Sequence, residues 1–224
     1  MAYETVSDLI KAFREDEQDT IAPHFWSDSQ LVRWTNEALT EFAESSMSIY
    51  DDESQVTLIP YGVGENRFSL DPCIIDIIDA WIDGQPHCHL CRSIVSFGNG
   101  YRGGNGYGNS QGYSGSCTHF HFDGAGQLRL HPKPTTSGAI RLRVVRRLVR
   151  ELSKSDRIPD LLPQERRHLL SYIAYKAYRV NEGETYNQGS SDEHLKRFEE
   201  ACQTVRETSI LRRGSCARPI RSNW

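Results

Sequence analysis

Apolar positions near the N-terminus recur at helical intervals. Leu9, Ile10 and Phe13 precede the polar run Arg14 to Gln18, and Thr5 stands three residues before Asp8, the spacing of a capping box. A short first helix is predicted there. A second start is stronger. Ser27 with Gln30 repeats the capping-box spacing, Trp26 and Leu31 occupy the two positions of a hydrophobic staple, and Leu31, Trp34, Ala38, Phe42 and Ala43 then mark one face. The charged residues Arg33, Glu37, Glu41 and Glu44 lie mostly elsewhere, so the spacing predicts a helix over 27–47.

The pattern then changes to short, alternating or β-rich runs. These are 55–61, 67–70, 74–82, 118–122, 127–131 and 139–148, separated by turn signals such as Gly62, Gly64, Asp83-Gly84, Asp123-Gly124 and Ser137-Gly138. A small antiparallel β unit follows from this texture. Within it Leu128 to His131 and Ile140 to Val145 read as a hairpin, its loop carrying Pro132 and Pro134, which have no place inside a sheet ladder. Helical spacing resumes at Pro163 and runs through Leu169, Leu170, Ile173, Ala174, Ala177 and Tyr178; a last helix starts near Ser191, with Leu195, Phe198, Cys202 and Val205.

The expected fold class is therefore α+β. A helical bundle is built from both chain ends (residues 1–52 and 153–211), a small antiparallel β domain (53–152) is inserted between them, and an extended C-terminal arm (212–224) follows. Residues 98–116 are almost entirely Gly, Ser, Asn and Tyr, with little to bury, and are expected to be a functional or disordered loop.

Composition adds limits. At 224 residues the chain is long enough to bury a core without staples, and its formal charge of −4 argues neither for general nucleic-acid binding nor for an acidic tail. No run is long and apolar enough to span a bilayer, and the N-terminus carries acids where a secretory signal would carry a basic and then an apolar stretch. The expectation is a soluble, unprocessed chain with no membrane partner, whose six cysteines are reduced thiols.

With the elements in order, a resemblance emerges. Phe25-Trp26-Ser-Asp-Ser-Gln-Leu-Val-Arg-Trp-Thr-Asn-Glu-Ala38 opens a helix, and an inserted β unit follows. Ile158-Pro-Asp-Leu-Leu-Pro163 then enters a helix bearing Tyr172, Ala174, Tyr175, Ala177 and Tyr178, and Asp192-Glu-His-Leu-Lys-Arg-Phe-Glu-Glu-Ala201 closes the set. This layout resembles the head-to-tail adaptor (connector) proteins of tailed bacteriophages over residues 20–210. The resemblance implies a non-enzymatic virion protein at the head-tail junction, assembled in the host cytoplasm. Its implied partners are neighbouring copies in a ring of twelve, the portal protein, a downstream tail or neck protein, and double-stranded DNA that passes through without being read. It assigns portal docking to the C-terminal segment, here Arg212, Arg213, Arg218, Ile220, Arg221 and Trp224. Tyr101, Tyr107 and Tyr113 of the glycine-rich loop are expected to meet the next tail component, because tyrosine offers large contact area at small entropic cost.

Two signals fall outside the resemblance. His87-Cys88-His89-Leu90-Cys91 and Cys117-Thr118-His119-Phe120-His121 carry the ligand types that zinc takes, and strand alternation places His87, His89 and Cys91 on one face and Cys117, His119 and His121 on one face of a neighbouring strand. No other cofactor is expected, and the alternative is that these are ordinary side chains of a hairpin. The second signal is the run from Arg141 to Arg150. Alternation puts Arg141, Arg143 and Arg147 on one strand face, where they would meet phosphates or an acidic neighbour, or else form the solvated face of an edge strand. Together they frame a rival reading, a zinc-stabilised nucleic-acid-binding module; another neck or tail-completion protein is a third. No G-x-S-x-G elbow, P-loop or H-E-x-x-H is present, and Asp76, Asp79 and Asp83 are spaced as strand or turn residues, so no enzymatic activity is expected.

Overall fold

The computed structural model describes residues 3–83, 85–86, 90–92, 119–122, 126–158, 161–180 and 186–214. The chain is α+β and divides into two compact units, Met1–Tyr50 with Arg146–Trp224, and Asp51–Val145.

The first unit is helical. Its helix α1 (Val6–Asp16) starts on the predicted capping box, the Asp8 amide donating to Thr5 Oγ1 at 3.1 Å and the Thr5 amide to Asp8 Oδ2 at 3.0 Å. Helix α2 (Asp28–Ser46) starts in the same way on Ser27 and Gln30 and buries Leu31, Trp34, Ala38, Leu39, Phe42 and Ala43 along one stripe. These reciprocal bonds satisfy amides that the first helical turn leaves without a partner. Pro163 opens a single turn, α3 (Pro163–Arg166), and α4 (His168–Tyr178) continues after Arg167. The last helix, α5 (Gln188–Gly214), packs on α4 and α2. Its buried positions Ser191, Phe198, Cys202 and Ser209, with half-buried Ser190, His194, Leu195, Ala201 and Val205 beside them, recur at helical intervals and mark the one face that meets its neighbours. Phe198 stands on that face with its ring centroid 5.0 Å from Tyr172 and 6.2 Å from Phe42.

A buried cation organises the turn between α1 and α2. Arg14, only 8% exposed, donates to the Asp19 carboxylate, to the Trp26 carbonyl at 2.8 Å and to Asp28 Oδ1 at 2.8 Å. Asp28 also receives Lys154 Nζ at 2.5 Å, and these bonds, that of Lys154 first and that of Arg14 next, hold its carboxyl below the usual carboxylate range.

The second unit holds two sheets. Strand β1 (Tyr50–Asp51) lies at the junction of the units. Strands β2 (Leu58–Tyr61), β3 (Arg67–Ser69), β4 (Ile74–Ile82), β5 (Gln85–Pro86), β6 (Leu90–Arg92), β7 (His119–Phe122), β8 (Gln127–His131) and β9 (Gly138–Arg146) follow. One sheet has the order β1-β9-β4-β5, with β2 also on β9; the other runs β3-β8-β7-β6. Both contribute to one core that includes Tyr61, Phe68, Ile77, Phe120, Leu128, Leu130, Ile140, Leu142 and Val144.

The hairpin expected of β8 and β9 does not form. The two strands belong to different sheets, and the segment with Pro132 and Pro134 carries the chain from one to the other. Nor is the unit wholly antiparallel, because β6 pairs with β7 in parallel. Both outcomes depend on which strand is nearest in space, which the alternation along a single strand does not encode.

The start of β9 is joined to the end of β4. The Ala139 amide donates to Asp83 Oδ1 at 3.0 Å, the Asp83 amide donates to the Ala139 carbonyl at 3.1 Å, and the Tyr61 hydroxyl donates to Asp83 Oδ2 at 3.0 Å. A β-carbon on Gly138 would stand 2.4 Å from Asp83 Oδ1 and 2.6 Å from the Tyr61 hydroxyl, so any larger residue there would have to displace both and disturb their hydrogen bonds.

The unit boundaries differ from the expected 52/53 and 152/153. Residues 146–152 belong with the helices, because Asn36 of α2 grips the backbone at Leu152 on both sides. Helix α5 also runs on through Arg212 and Arg213 to Gly214, so the arm does not start at 212 as the loss of apolar periodicity suggested.

Candidate functional site

The helical unit presents two grooves on either side of α2. The first, about 770 Å³ in volume, lies among α2, α4 and α5, with Glu41, Tyr172, Tyr175, Phe198, Cys202 and Ile210 in its wall. Alternating burial explains its make-up. The side of α4 that buries Leu169, Ile173, Ala174 and Ala177 faces the core, which leaves Tyr172 and Tyr175 at the rim with ring centroids 5.5 Å apart. Ile210, near the end of α5, is 56% exposed, a large apolar side chain left open beside the groove.

Electrostatics hold that rim in place. Lys176 Nζ is 2.7 Å from Glu37 Oε2 and sits 5.8 Å from the Tyr172 ring centroid, and Arg179 lies over Tyr175 while Nη1 donates to its hydroxyl at 2.7 Å. Burial, reinforced by the Glu37 and Glu41 carboxylates, pushes the Tyr172 phenol up to about 12, so it remains a neutral donor at physiological pH. Burial likewise pushes the Cys202 thiol up to about 12, which leaves it as a packing residue with no thiolate character.

The second groove, about 1190 Å³, runs along α2 from Ser29 to Glu41 and is closed by residues 148–154. Asn36 supports its floor, accepting from the Leu152 amide at 2.7 Å and donating to the Leu152 carbonyl at 2.9 Å. Val149 stands 53% exposed there.

Both grooves are lined by alternating apolar and charged side chains and not by a convergent acid, base and nucleophile. Sequence reasoning named neither, since a groove is made by three elements distant in the chain; the exposed apolar residues Val149 and Ile210, out of phase with the buried stripes, are its faint signal.

The expected arginine face is divided. Strand β9 is interior in its sheet, between β4 and the β1/β2 side, and not an edge. Arg141 and Arg143 do share its exposed face, where Arg141 Nη1 donates to the Asp52 carbonyl at 2.9 Å and Arg143 Nε lies 4.0 Å from the Asp52 carboxylate. Arg147 does not join them. Val145 is buried, β9 ends at Arg146, and Arg147 pairs instead with Glu44 of α2 at 2.5 Å.

Of the candidate docking residues, Arg212 and Arg213 lie in the last turn of α5, whereas Arg218, Ile220, Arg221 and Trp224 lie outside the described residues. Tyr101, Tyr107 and Tyr113, with the whole of 98–116, also lie outside them, as do His87, Cys88, His89 and Cys117 of the metal set. For the remainder of that set the register is informative. Cys91 on β6 is the Cα partner of His121 on β7, which in turn pairs with Arg129 on β8, while His119 pairs with His131. His131, at the end of β8, was not among the residues that the His/Cys pattern singled out. Among the described residues no three His, Cys, Asp or Glu side chains stand together around one point, and no helix is long and apolar enough to cross a membrane. No family model matches this chain, and no curated protein matches it either.

Proposed function

We propose that this chain is the head-to-tail adaptor of a tailed bacteriophage, a non-enzymatic virion protein that forms a ring between portal and tail through which double-stranded DNA passes. The observation that carries this reading is the construction of the helical unit. Residues from both chain ends build it, the β unit 51–145 is inserted in sequence between them, and its three landmark segments become α2, α4 and α5. In this reading the two grooves beside α2 receive neighbouring copies in the ring. The segment that follows α5 reaches the portal, and the β unit with loop 98–116 faces the next tail component.

The test is the copy number of this chain relative to portal protein in purified virions, measured by quantitative mass spectrometry with cross-linking. Near-equal copies, with cross-links from the segment beyond Gly214 to the portal, are expected. Absence from the particle, or a few copies with no portal links, would overturn the assignment.

A further inference from the structure

The outer face of the four-stranded sheet carries a row of nitrogen donors with no described acid beside it, and we infer that Arg67, Arg129 and His121 form a site for a phosphate group. The inference stands on strand register and does not rest on the adaptor reading.

Side chains on a strand alternate between the two faces of a sheet, and directly paired residues of neighbouring strands share a face. Phe68 of β3, Leu128 and Leu130 of β8 and Phe120 of β7 are buried in the core. Arg67, Arg129 and His121 therefore belong to the opposite face. Arg129 is the Cα partner of Arg67 on one side and of His121 on the other, so the three make one row across β3, β8 and β7. With strands about 4.8 Å apart, the row spans about 10 Å.

Two observations mark the row as incomplete. Arg67 and Arg129 stand directly opposite each other, a like-charge pair that destabilises a sheet unless an anion compensates it. Among the described side chains of this face none is acidic, and the acids that flank β3 in sequence are engaged with backbone: Glu65 Oε2 accepts from the Gly62 amide and Asp71 Oδ1 from the Cys73 amide, each at 2.9 Å. The second observation is independent of the first. Arg129 Nε and His121 Nδ1 are both buried and have no hydrogen-bond partner. A guanidinium nitrogen can only donate, so what Arg129 lacks is an acceptor, and leaving a charged group without one is costly.

The fork of a guanidinium matches the oxygens of carboxylate and phosphate alike. Charge decides between them. A carboxylate brings a single negative charge and leaves the second guanidinium uncompensated. A phosphate group brings up to two, with oxygens enough to accept from both forks and from the imidazole.

The experiment uses the full chain in phosphate-free buffer. Inorganic phosphate is titrated by calorimetry, and a fluorescein-labelled DNA duplex is followed by anisotropy. One phosphate per chain is expected, with binding weakened about tenfold or more in Arg67→Gln and in Arg129→Gln, the effect of losing a charged hydrogen-bond donor. Arg157→Gln, which removes an equal charge from an exposed position in the helical unit, leaves it unchanged. Thermal unfolding supplies a second readout: phosphate raises the melting temperature of the parent chain and not that of Arg67→Gln, whose side chain is exposed and whose fold circular dichroism checks. If the duplex also binds, and is lost in the same two variants, the phosphate is that of a nucleic-acid backbone; if it does not, the ligand is free phosphate or a phosphate monoester. Absence of saturable phosphate binding would overturn the inference. So would undiminished binding by both arginine variants, or a polyglutamate peptide that binds as tightly as phosphate.

Discussion

At the scale of single residues, the positions that matter most are those that hold an irregular segment in place. Asp156 is one. Its carboxylate accepts from Arg150 Nη1 at 2.9 Å and from the Ser153 amide at 2.8 Å, and its carbonyl accepts from the Val6 amide at 3.1 Å, where the chain enters α1. The bond from Arg150, then those from Ser153, hold the carboxyl down to about 2, against 3.8 when unperturbed. The folded state therefore binds fewer protons than the unfolded one in that interval. The stabilisation is fully present above about pH 4 and disappears as the pH falls through about 2. Acid unfolding followed by circular dichroism should show Asp156→Asn losing part of the pH dependence between pH 4 and 2; an unaltered acid limb would mean that the bond contributes nothing. Arg14 illustrates a residue whose part is invisible along the chain. It reads as the start of a polar run at the end of α1, yet it is buried and gathers Asp19, Trp26 and Asp28.

At the scale of elements, the helix starts were legible and the strand partners were not. Both capping boxes formed where Thr5/Asp8 and Ser27/Gln30 predicted them, because a cap is decided within four residues. Asn36 shows what periodicity leaves out. It lies on the polar side of α2 by pattern, but its amide holds both backbone groups of Leu152 and so fixes segment 146–152 against the helix. Asn36→Ala leaves those two peptide groups without a side-chain partner and should cost about 1–3 kcal/mol, measured by urea unfolding. A change below about 0.5 kcal/mol would show that water replaces the amide without loss. The β8–β9 connection is the opposite case. Two alternating runs joined by a proline-bearing loop read as a hairpin, and instead they enter different sheets. Nothing in the alternation of either strand distinguishes a neighbour in the same sheet from one across the core.

At the scale of the whole molecule, the adaptor proposal assigns separate tasks to separate parts, and the end of α5 is where it is most exposed to test. Because the helix continues to Gly214, a truncation that respects the fold removes 215–224 and not 212–224. The expectation is an unchanged melting temperature with attachment to the portal lost, read by thermal unfolding and by co-sedimentation with purified portal. Attachment that survives the truncation would remove the docking role from Arg218, Ile220, Arg221 and Trp224.

The sequence by itself determined the α+β class, the first two helices with their starts, and the insertion of a β unit between two helical stretches. Each of these is written in spacing over a few residues, through caps, 3.6-residue stripes and alternation, and so survives without knowledge of what lies nearby. Only the tertiary structure decided that residues 146–152 belong with the helices, that β9 is interior, that Arg147 leaves Arg141 and Arg143 to pair with Glu44, and that β8 and β9 enter different sheets. Those outcomes depend on strand register and on contacts between distant segments. A shift of one residue in register turns every side chain of a strand to the other face, and no local pattern records which register the fold selects.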